Sequence, residues 1–160
     1  MENLVQNWEM LGEFKAGAQT MACMSELVRE GSVGKRTTIS IALYLARRGY
    51  GLSFMERLLA MGREAGINGA EMTANLQGTS HDAKITECLR FVKALLDDSM
   101  SPRRVDLGRM IEVGYTQADV LQVMAQVDLS ILLDRMATAV HMAKEHAREL
   151  LPVNAQSCPQ

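Results

Sequence analysis

The stretch KRTTISIALYLARR, residues 35–48, decides the fold class of this 160-residue chain. Its apolar side chains cover nearly every side of a helix, which is typical of a helix that is buried all round. Two arginines and a glycine follow the last apolar turn, and basic residues there favour the end of a helix. We therefore expect residues 35–48 to form a central, buried helix.

Six further helices are predicted on either side of this one. Apolar spacing, caps and glycine stops place them at about 3–30, 53–66, 69–77, 82–97, 102–114 and 116–146. No run of residues alternates apolar and polar side chains with β-branched enrichment, so no strands are expected. The sequence thus predicts an all-α protein of about six to seven helices.

Several helix starts are predicted from an N-cap residue followed by an acid three positions later. The pairs are Ser53 with Glu56, Asn68 with Glu71, and Thr116 with Asp119. Another helix is expected to be capped by Ser101, with Pro102 at its first position. Within the last helix, Asp128 and Asp134 lie among apolar residues and need partners. Arg47 or Arg48 is a candidate partner for Asp128.

Composition excludes several classes of protein. The chain has 17 Lys and Arg against 19 Asp and Glu, so no strongly basic nucleic-acid surface is expected. No apolar run is long enough to cross a bilayer, and the start of the chain lacks a secretory pattern. We expect a cytoplasmic protein with no membrane or nucleic-acid partner. Residues 1–150 are predicted to form a single domain, and residues 151–160 a flexible C-terminal tail.

The cysteines and histidines give little sign of a cofactor. Cys23, Cys88 and Cys158 are odd in number and widely spaced, which excludes a disulfide framework and favours a reducing compartment. Cys23 and Cys88 are interpreted as small buried hydrophobic residues. His141, Glu145 and His146 do not share one helix face, so they indicate a solvated helix end. No metal site or cofactor is predicted.

Two segments of the chain echo each other. EAGINGAEM at 64–72 and EVGYTQADV at 112–120 are aligned by glycines 48 positions apart. In each, a helix ends at a glycine, and one apolar residue, an N-cap and an acid follow. This order predicts a tight corner, because the glycine adopts a left-handed conformation and the next helix is capped at once.

Five segments of the chain, in their order and spacing, resemble the carboxymuconolactone decarboxylase and alkylhydroperoxidase D-like superfamily. The resemblance covers about residues 14–139. The matching segments are GSVGK at 31–35, EAGI at 64–67, LRFVKAL at 89–95, EVGYTQADV at 112–120, and the stretch 125–133. The resemblance implies one alkylhydroperoxidase D-like helical domain. It also implies a homo-oligomer, either a trimer or a hexamer.

Redox members of this superfamily carry a Cys-x-x-Cys motif. A His lies four residues after the second Cys, and a Glu lies about twelve residues before the first Cys. One thiolate attacks the peroxide, the second resolves the sulfenic acid, and the Glu–His pair moves the proton. Counting forward from the buried helix, the equivalent positions are Thr38, Tyr50, Ser53 and Arg57. Counting backward from the first corner glycine, they are Ile39, Gly51, Phe54 and Leu58. Both registers remain open, and neither holds Cys, His or Glu.

This departure implies a catalytically degenerate protein without dithiol peroxidase activity, with no catalytic residue assigned by the family motif. It would act as a small-molecule-binding or protein-interaction module. The candidate pocket comprises Thr38, Tyr50, Ser53, Glu56 and Arg57. The alternative is a decarboxylase-like or peroxiredoxin-type enzyme with a relocated active site. A purely structural role in oligomerisation is a third possibility.

Overall fold

The computed structural model describes residues 31–97 and 102–149, together with Ala22 and Glu26, which are helical. Within these ranges the chain is all-α, as predicted, and contains no strand. Its six α-helices are α1 (Lys35–Arg47), α2 (Met55–Glu64), α3 (Gly69–Leu76), α4 (Ala83–Asp97), α5 (Arg104–Glu112) and α6 (Gln117–Glu149). The rest of the predicted 3–30 helix and the 151–160 tail lie outside the described residues. None of the described helices combines the length and apolarity needed to span a membrane.

Helix α1 is central and buried, which confirms the prediction made from residues 35–48. Eight of its 13 residues are buried, and it packs against α2, α3, α4 and α6. Ile39 and Leu43 belong to a small apolar cluster with residues of α2 and α3. Ile41 and Leu45 belong to a larger cluster built mainly from α4 and α6. Because its apolar side chains point in all directions, α1 joins the two clusters.

The six helices form two units of three helices each. The first half consists of α1–α3 and the second half of α4–α6. Equivalent residues of the two halves are 48 positions apart in the sequence. Lys35 and Ala83 begin the leading helices, and Gly69 and Gln117 begin the third helices. Gly66 and Gly114 mark the predicted corners, with left-handed φ angles of 74° and 87°. The echo between 64–72 and 112–120 is therefore part of a repeat of the whole three-helix unit.

Two helix starts differ from the prediction. Helix α2 begins at Met55 with Phe54 at its N-cap, because a 3₁₀ turn over Leu52–Phe54 precedes it. The prediction that Ser53 stands at the N-cap of this helix is therefore wrong. Helix α5 begins at Arg104 after an extended Arg103, so the prediction that Pro102 occupies the first helical position is also wrong. The predicted cap, Ser101, lies outside the described residues.

The partner predicted for Asp128 is not observed, whereas Asp134 has a backbone partner. Arg48 Nη2 lies 2.8 Å from Asp97 Oδ1. Among the described residues no ion pair joins Asp128, which is exposed, to either arginine, so that prediction is wrong. Asp134 Oδ1 accepts a 2.9 Å hydrogen bond from the backbone N–H of Gly51. This bond ties the turn after α1 to the middle of α6.

Candidate functional site

The five residues of the predicted pocket occupy different environments. Thr38 is half-buried on α1, and its carbonyl accepts a 2.8 Å bond from Gln126 Nε2. Tyr50 packs against the larger apolar cluster, and Ser53 lies in the 3₁₀ turn. Glu56 and Arg57 are exposed in the first turn of α2. None of the five is among the described residues that line the cavity presented next, so their role stays a prediction.

The second register of the family motif coincides with packing positions. Ile39 is buried in the smaller apolar cluster, and Leu58 packs against that cluster. Gly51 has a left-handed φ of 86° and precedes the 3₁₀ turn. These positions contribute to the fold around the turn rather than to a polar pocket.

A cavity of about 270 Å³ opens between the start of α1, the start of α4 and the corner that leads into α6. We call it the corner cavity. The described residues that line it are Ser32, Val33, Gly34, Arg36, Thr37, Asp82, Lys84, Ile85, Tyr115 and Asp119. These three segments meet because α1 packs on both α4 and α6.

The buried carboxylate of Asp119 holds one wall of this cavity. Ser32 Oγ donates a hydrogen bond to Asp119 Oδ1. The Thr116 N–H donates to Oδ2 at 2.8 Å, and the Asp119 N–H donates to Thr116 Oγ1 at 3.1 Å. The predicted Thr116–Asp119 capping box is thus confirmed. The Ser32 hydroxyl above all, together with the Thr116 bonds, lowers the pKa of Asp119 below its usual range.

The other half carries the reciprocal arrangement. Ser80 Oγ donates to Glu71 Oε1, and the His81 N–H donates to Glu71 Oε2 at 2.9 Å. Ser80 is the equivalent of Ser32 in the 48-residue register, and Glu71 is the equivalent of Asp119. We call each pair a Ser–acid clasp. In both clasps, the loop before the leading helix of one half is fastened to the third helix of the other half.

A buried amide extends the second clasp into α1. With its amide group oriented to satisfy its neighbours, Asn75 donates to Glu71 Oε1 and to the carbonyl of Thr79, both at 3.1 Å. In the same orientation its Oδ1 accepts a 2.8 Å bond from Ser40 Oγ. The predicted Asn68 cap is also present, because the Glu71 N–H donates to Asn68 Oδ1 at 2.8 Å.

Tyr115 is the notable polar group of the corner cavity. Its ring lies 4.4 Å from Lys84 Nζ, which donates a 2.9 Å bond to the Gly114 carbonyl. Its hydroxyl lies near the side chains of Thr37 and Cys88. That hydroxyl is buried and has no hydrogen-bond partner of normal geometry among the described residues. Burial raises the pKa of Tyr115, so the hydroxyl stays protonated and is available as a donor.

Cys88 is fully buried behind Tyr115, as predicted for a small hydrophobic residue. Burial raises the pKa of its thiol to about 12. Since the thiolate is the nucleophilic form, such a thiol is a poor peroxidatic group. Cys23 and Cys158 lie outside the described residues.

The start of α1 forms the second wall of the cavity. Its N-cap is Gly34, which provides no side-chain hydrogen bond, and its first turn holds no acid. The first intrahelical bond runs from the Thr38 N–H to the Gly34 carbonyl at 3.1 Å. The N–H groups of residues 35–37 therefore have no acceptor within the helix.

No histidine is among the described residues that line this cavity. His81 Nδ1 is 2.9 Å from Glu71 Oε2, with the imidazole largely exposed. His141 Nε2 is 3.2 Å from Glu145 Oε1 on the exposed surface of α6. Among residues 31–97 and 102–149, no three side chains of the His, Cys, Asp or Glu type lie close enough to hold a metal ion.

The sequence motifs do not identify Ser32, Lys84 and Tyr115 as residues that line a cavity. One sequence feature does point to Ser32. The 48-residue repeat extends backward along the chain and aligns Ser32 with Ser80. Comparisons with protein-family models, with curated proteins and with solved structures give no match to this chain.

Proposed function

We propose that this chain is a degenerate member of the alkylhydroperoxidase D-like superfamily that binds a small molecule in the corner cavity. The observation that carries this proposal is the polar cavity itself, which Arg36 and Lys84 line beside a helix start whose first N–H groups have no acceptor within the helix. A ligand that accepts hydrogen bonds from those N–H groups satisfies donors that the helix leaves unpaired. The volume of about 270 Å³ lies just below the usual range of ligand pockets, about 300–1,000 Å³, and favours a small metabolite.

Binding is tested by titrating a library of small polar metabolites into the isotope-labelled full chain and following backbone amide signals by NMR. We expect a ligand to shift the amides of residues 32–37, 82–85 and 115–119. Arg36→Gln removes one cationic side chain of the lining and is expected to weaken binding of an anionic metabolite about tenfold, as one lost hydrogen bond corresponds to about 1.4 kcal/mol. Arg47→Gln makes the same chemical change at an exposed position of the same helix outside the cavity and is the control. Equal affinity of both variants would contradict the proposal.

The absence of dithiol peroxidase chemistry is supported by the environment of Cys88. Its burial and raised pKa oppose formation of the thiolate that would attack a peroxide. We expect no dithiol-dependent reduction of organic hydroperoxides, measured by consumption of the peroxide. Robust turnover that is abolished by Cys88→Ser, in protein that remains folded, would overturn this part of the proposal.

We also propose self-association, on a different observation. Leu121 and Leu132 are exposed on α6 and lie eleven residues apart, about three helical turns, so they share one face. A second copy of the chain would cover this face. Light scattering after size-exclusion chromatography is expected to show a trimer or hexamer that Leu121→Asp dissociates. Ala137→Asp, a change at an exposed position on the opposite side of the same helix, is the control. A monomeric parent protein would contradict self-association.

A further inference from the structure

We propose that one exposed face of α6 pairs with the same face of a second copy of the chain, antiparallel and about a twofold axis near Leu132. This inference rests on the proposed self-association and specifies its geometry. We call this face the α6 seam. It consists of Leu121, Ala125, Asp128, Leu132, Arg135, Ala139 and Met142.

The seam has the residue spacing of a coiled coil. Its members follow one another at alternating intervals of four and three residues from Leu121 to Met142. This spacing keeps them on one side of the helix for about six turns, and it allows two helices to stay in contact along their length. Six of the seven side chains are exposed, and Ala125 is half-buried. Within the described residues, then, no element covers the seam.

Apolar side chains occupy the centre and both ends of the seam. Leu132 lies at its centre, and Leu121 and Met142 lie at its ends with 63% and 64% of their surface exposed. Half of the six large apolar side chains that are exposed in the described residues therefore lie on this one face. Exposed apolar side chains that share a face mark a surface that a partner covers. The small Ala125 and Ala139 let a second helix approach closely.

The seam continues past the packed part of α6. This helix has 33 residues and is about 50 Å long, whereas the next longest described helix has 15 residues. Near its end Ala137, Thr138 and Ala139 follow one another and are all exposed. Consecutive residues of a helix point in directions about 100° apart, so this part of α6 faces solvent on most sides. A second helix is free to lie along it.

The two charged members of the seam decide the orientation of the pair. Asp128 lies four residues before Leu132, and Arg135 lies three residues after it. In a parallel pair each charged side chain would face its own copy, and like charges would meet. In an antiparallel pair centred near Leu132, each Asp128 faces the partner's Arg135, and two ion pairs form.

Within its own chain each of these two charges lacks a counterion. Neither Asp128 nor Arg135 has a hydrogen bond or an ion pair with another described residue. The Asp128 carboxylate is partly desolvated by its surroundings, which raises its pKa. The partner's Arg135 would supply the cation that this carboxylate lacks.

The twofold geometry also distinguishes between the two assemblies proposed above. A twofold contact joins subunits in pairs, so a hexamer made of three pairs contains it, whereas a cyclic trimer does not. Light scattering of the parent protein is therefore expected to show an even number of subunits. A trimer overturns the twofold pairing and leaves self-association standing.

Charge reversal tests the two ion pairs. Asp128→Arg and Arg135→Asp each place like charges at the interface and are expected to weaken association of the full chain about tenfold or more, measured by sedimentation equilibrium. The double variant exchanges the two charges, restores both ion pairs and is expected to associate within about threefold of the parent. In a parallel pair the single variants would lose nothing relative to the parent, because like charges already meet there.

Matched controls separate the seam from the net charge of the chain. Glu64→Arg and Arg63→Asp make the same changes of charge at exposed positions of α2 and are expected to associate as the parent does. Circular dichroism establishes that every variant is folded. Single seam variants that associate as tightly as the parent, or a double variant no tighter than the single ones, overturn the pairing and leave self-association standing. A monomeric parent overturns both.

Cross-linking tests the orientation directly. Cys23→Ser and Cys158→Ser leave only Cys88, which is fully buried. In this background Leu132→Cys lies near the axis beside its copy and is expected to give a covalent dimer with a short bismaleimide. Met142→Cys lies ten residues from the axis, about 30 Å from its copy along the helix, and is expected not to react in this way. Cross-linking of both variants indicates a parallel pair and overturns the proposal, as does cross-linking of neither.

Discussion

At the scale of single residues, Asp119 serves two elements at once. One of its oxygens caps α6 through the Thr116 N–H, and the other accepts the hydroxyl of Ser32 in the loop before α1. The same loop is also held to α6 by the Val33 N–H, which donates a 2.9 Å bond to Gln122 Oε1. Asp119 in its charged form is therefore one of the groups that hold the wall of the corner cavity in place.

The lowered pKa of Asp119 predicts a pH dependence of stability. Because the folded state favours the charged form, the stabilisation is present above the ordinary Asp pKa of about 4 and is lost as the pH falls through the lower, folded-state pKa. We expect Asp119→Asn to cost about 1–3 kcal/mol of unfolding free energy at pH 7. The difference in unfolding free energy between this variant and the parent should become smaller below about pH 4, as measured by urea unfolding.

The exposed Glu64 provides the control, because Glu64→Gln removes one surface charge without touching a clasp. If the difference in unfolding free energy between Asp119→Asn and the parent is the same at neutral and acidic pH, the lowered pKa of Asp119 is contradicted.

At the scale of helices, glycines end α2 and α3 under different constraints. Gly66, after α2, has a φ of 74° and open space where a Cβ would lie. Gly78, after α3, has a φ of 79°, and a Cβ there would lie 2.8 Å from a ring carbon of the buried Tyr44. The first position requires only a left-handed backbone, whereas the second also requires the absence of a side chain.

Alanine at these two positions separates the two requirements. Gly66→Ala is expected to lower the unfolding free energy by about 1–2 kcal/mol, the cost of a left-handed conformation for a non-glycine residue. Gly78→Ala is expected to lose a further 1–3 kcal/mol or so, because the Tyr44 ring must move within a packed core. Chemical unfolding followed by circular dichroism measures both. Equal losses would show that Tyr44 adjusts without cost.

The sequence predicts a helix well where the apolar pattern and the cap that define it lie within or next to that helix. The apolar pattern of α1 and the caps of α3 and α6 lie within a few residues of the elements they define. The start of α2 was missed because a left-handed Gly51 sets up a 3₁₀ turn, and the cap pattern at Ser53 does not report that turn. The cavity could not be predicted, since Ser32, Lys84 and Tyr115 meet only when the two halves pack together.

At the scale of the whole molecule, the two halves are interlocked. The larger apolar cluster takes residues from both halves, including Tyr44 of α1 and Phe91 of α4. The two Ser–acid clasps connect the halves in opposite directions, from Ser32 to Asp119 and from Ser80 to Glu71. Neither half buries its leading helix without the other.

This interlocking predicts that the halves unfold together. In native-state hydrogen exchange, the most protected amides of α1 and of α4 should report the same free energy of opening, because neither helix is released without global unfolding. Ser32→Ala should lower both values equally, although it removes a contact to α6 alone. An early, separate opening of α1–α3 would contradict this expectation.

Gly34 and Asp82 occupy equivalent positions in the two halves, 48 residues apart, and a symmetric dimer could not have this difference. Two identical subunits encoded by one gene cannot differ at a single position, so a symmetric dimer of three-helix chains would carry either the aspartate or the glycine at both places. Joining the two units in one polypeptide removes that restriction. One unit has the aspartate that caps its leading helix, and the other has a glycine that offers no side-chain cap to the equivalent helix.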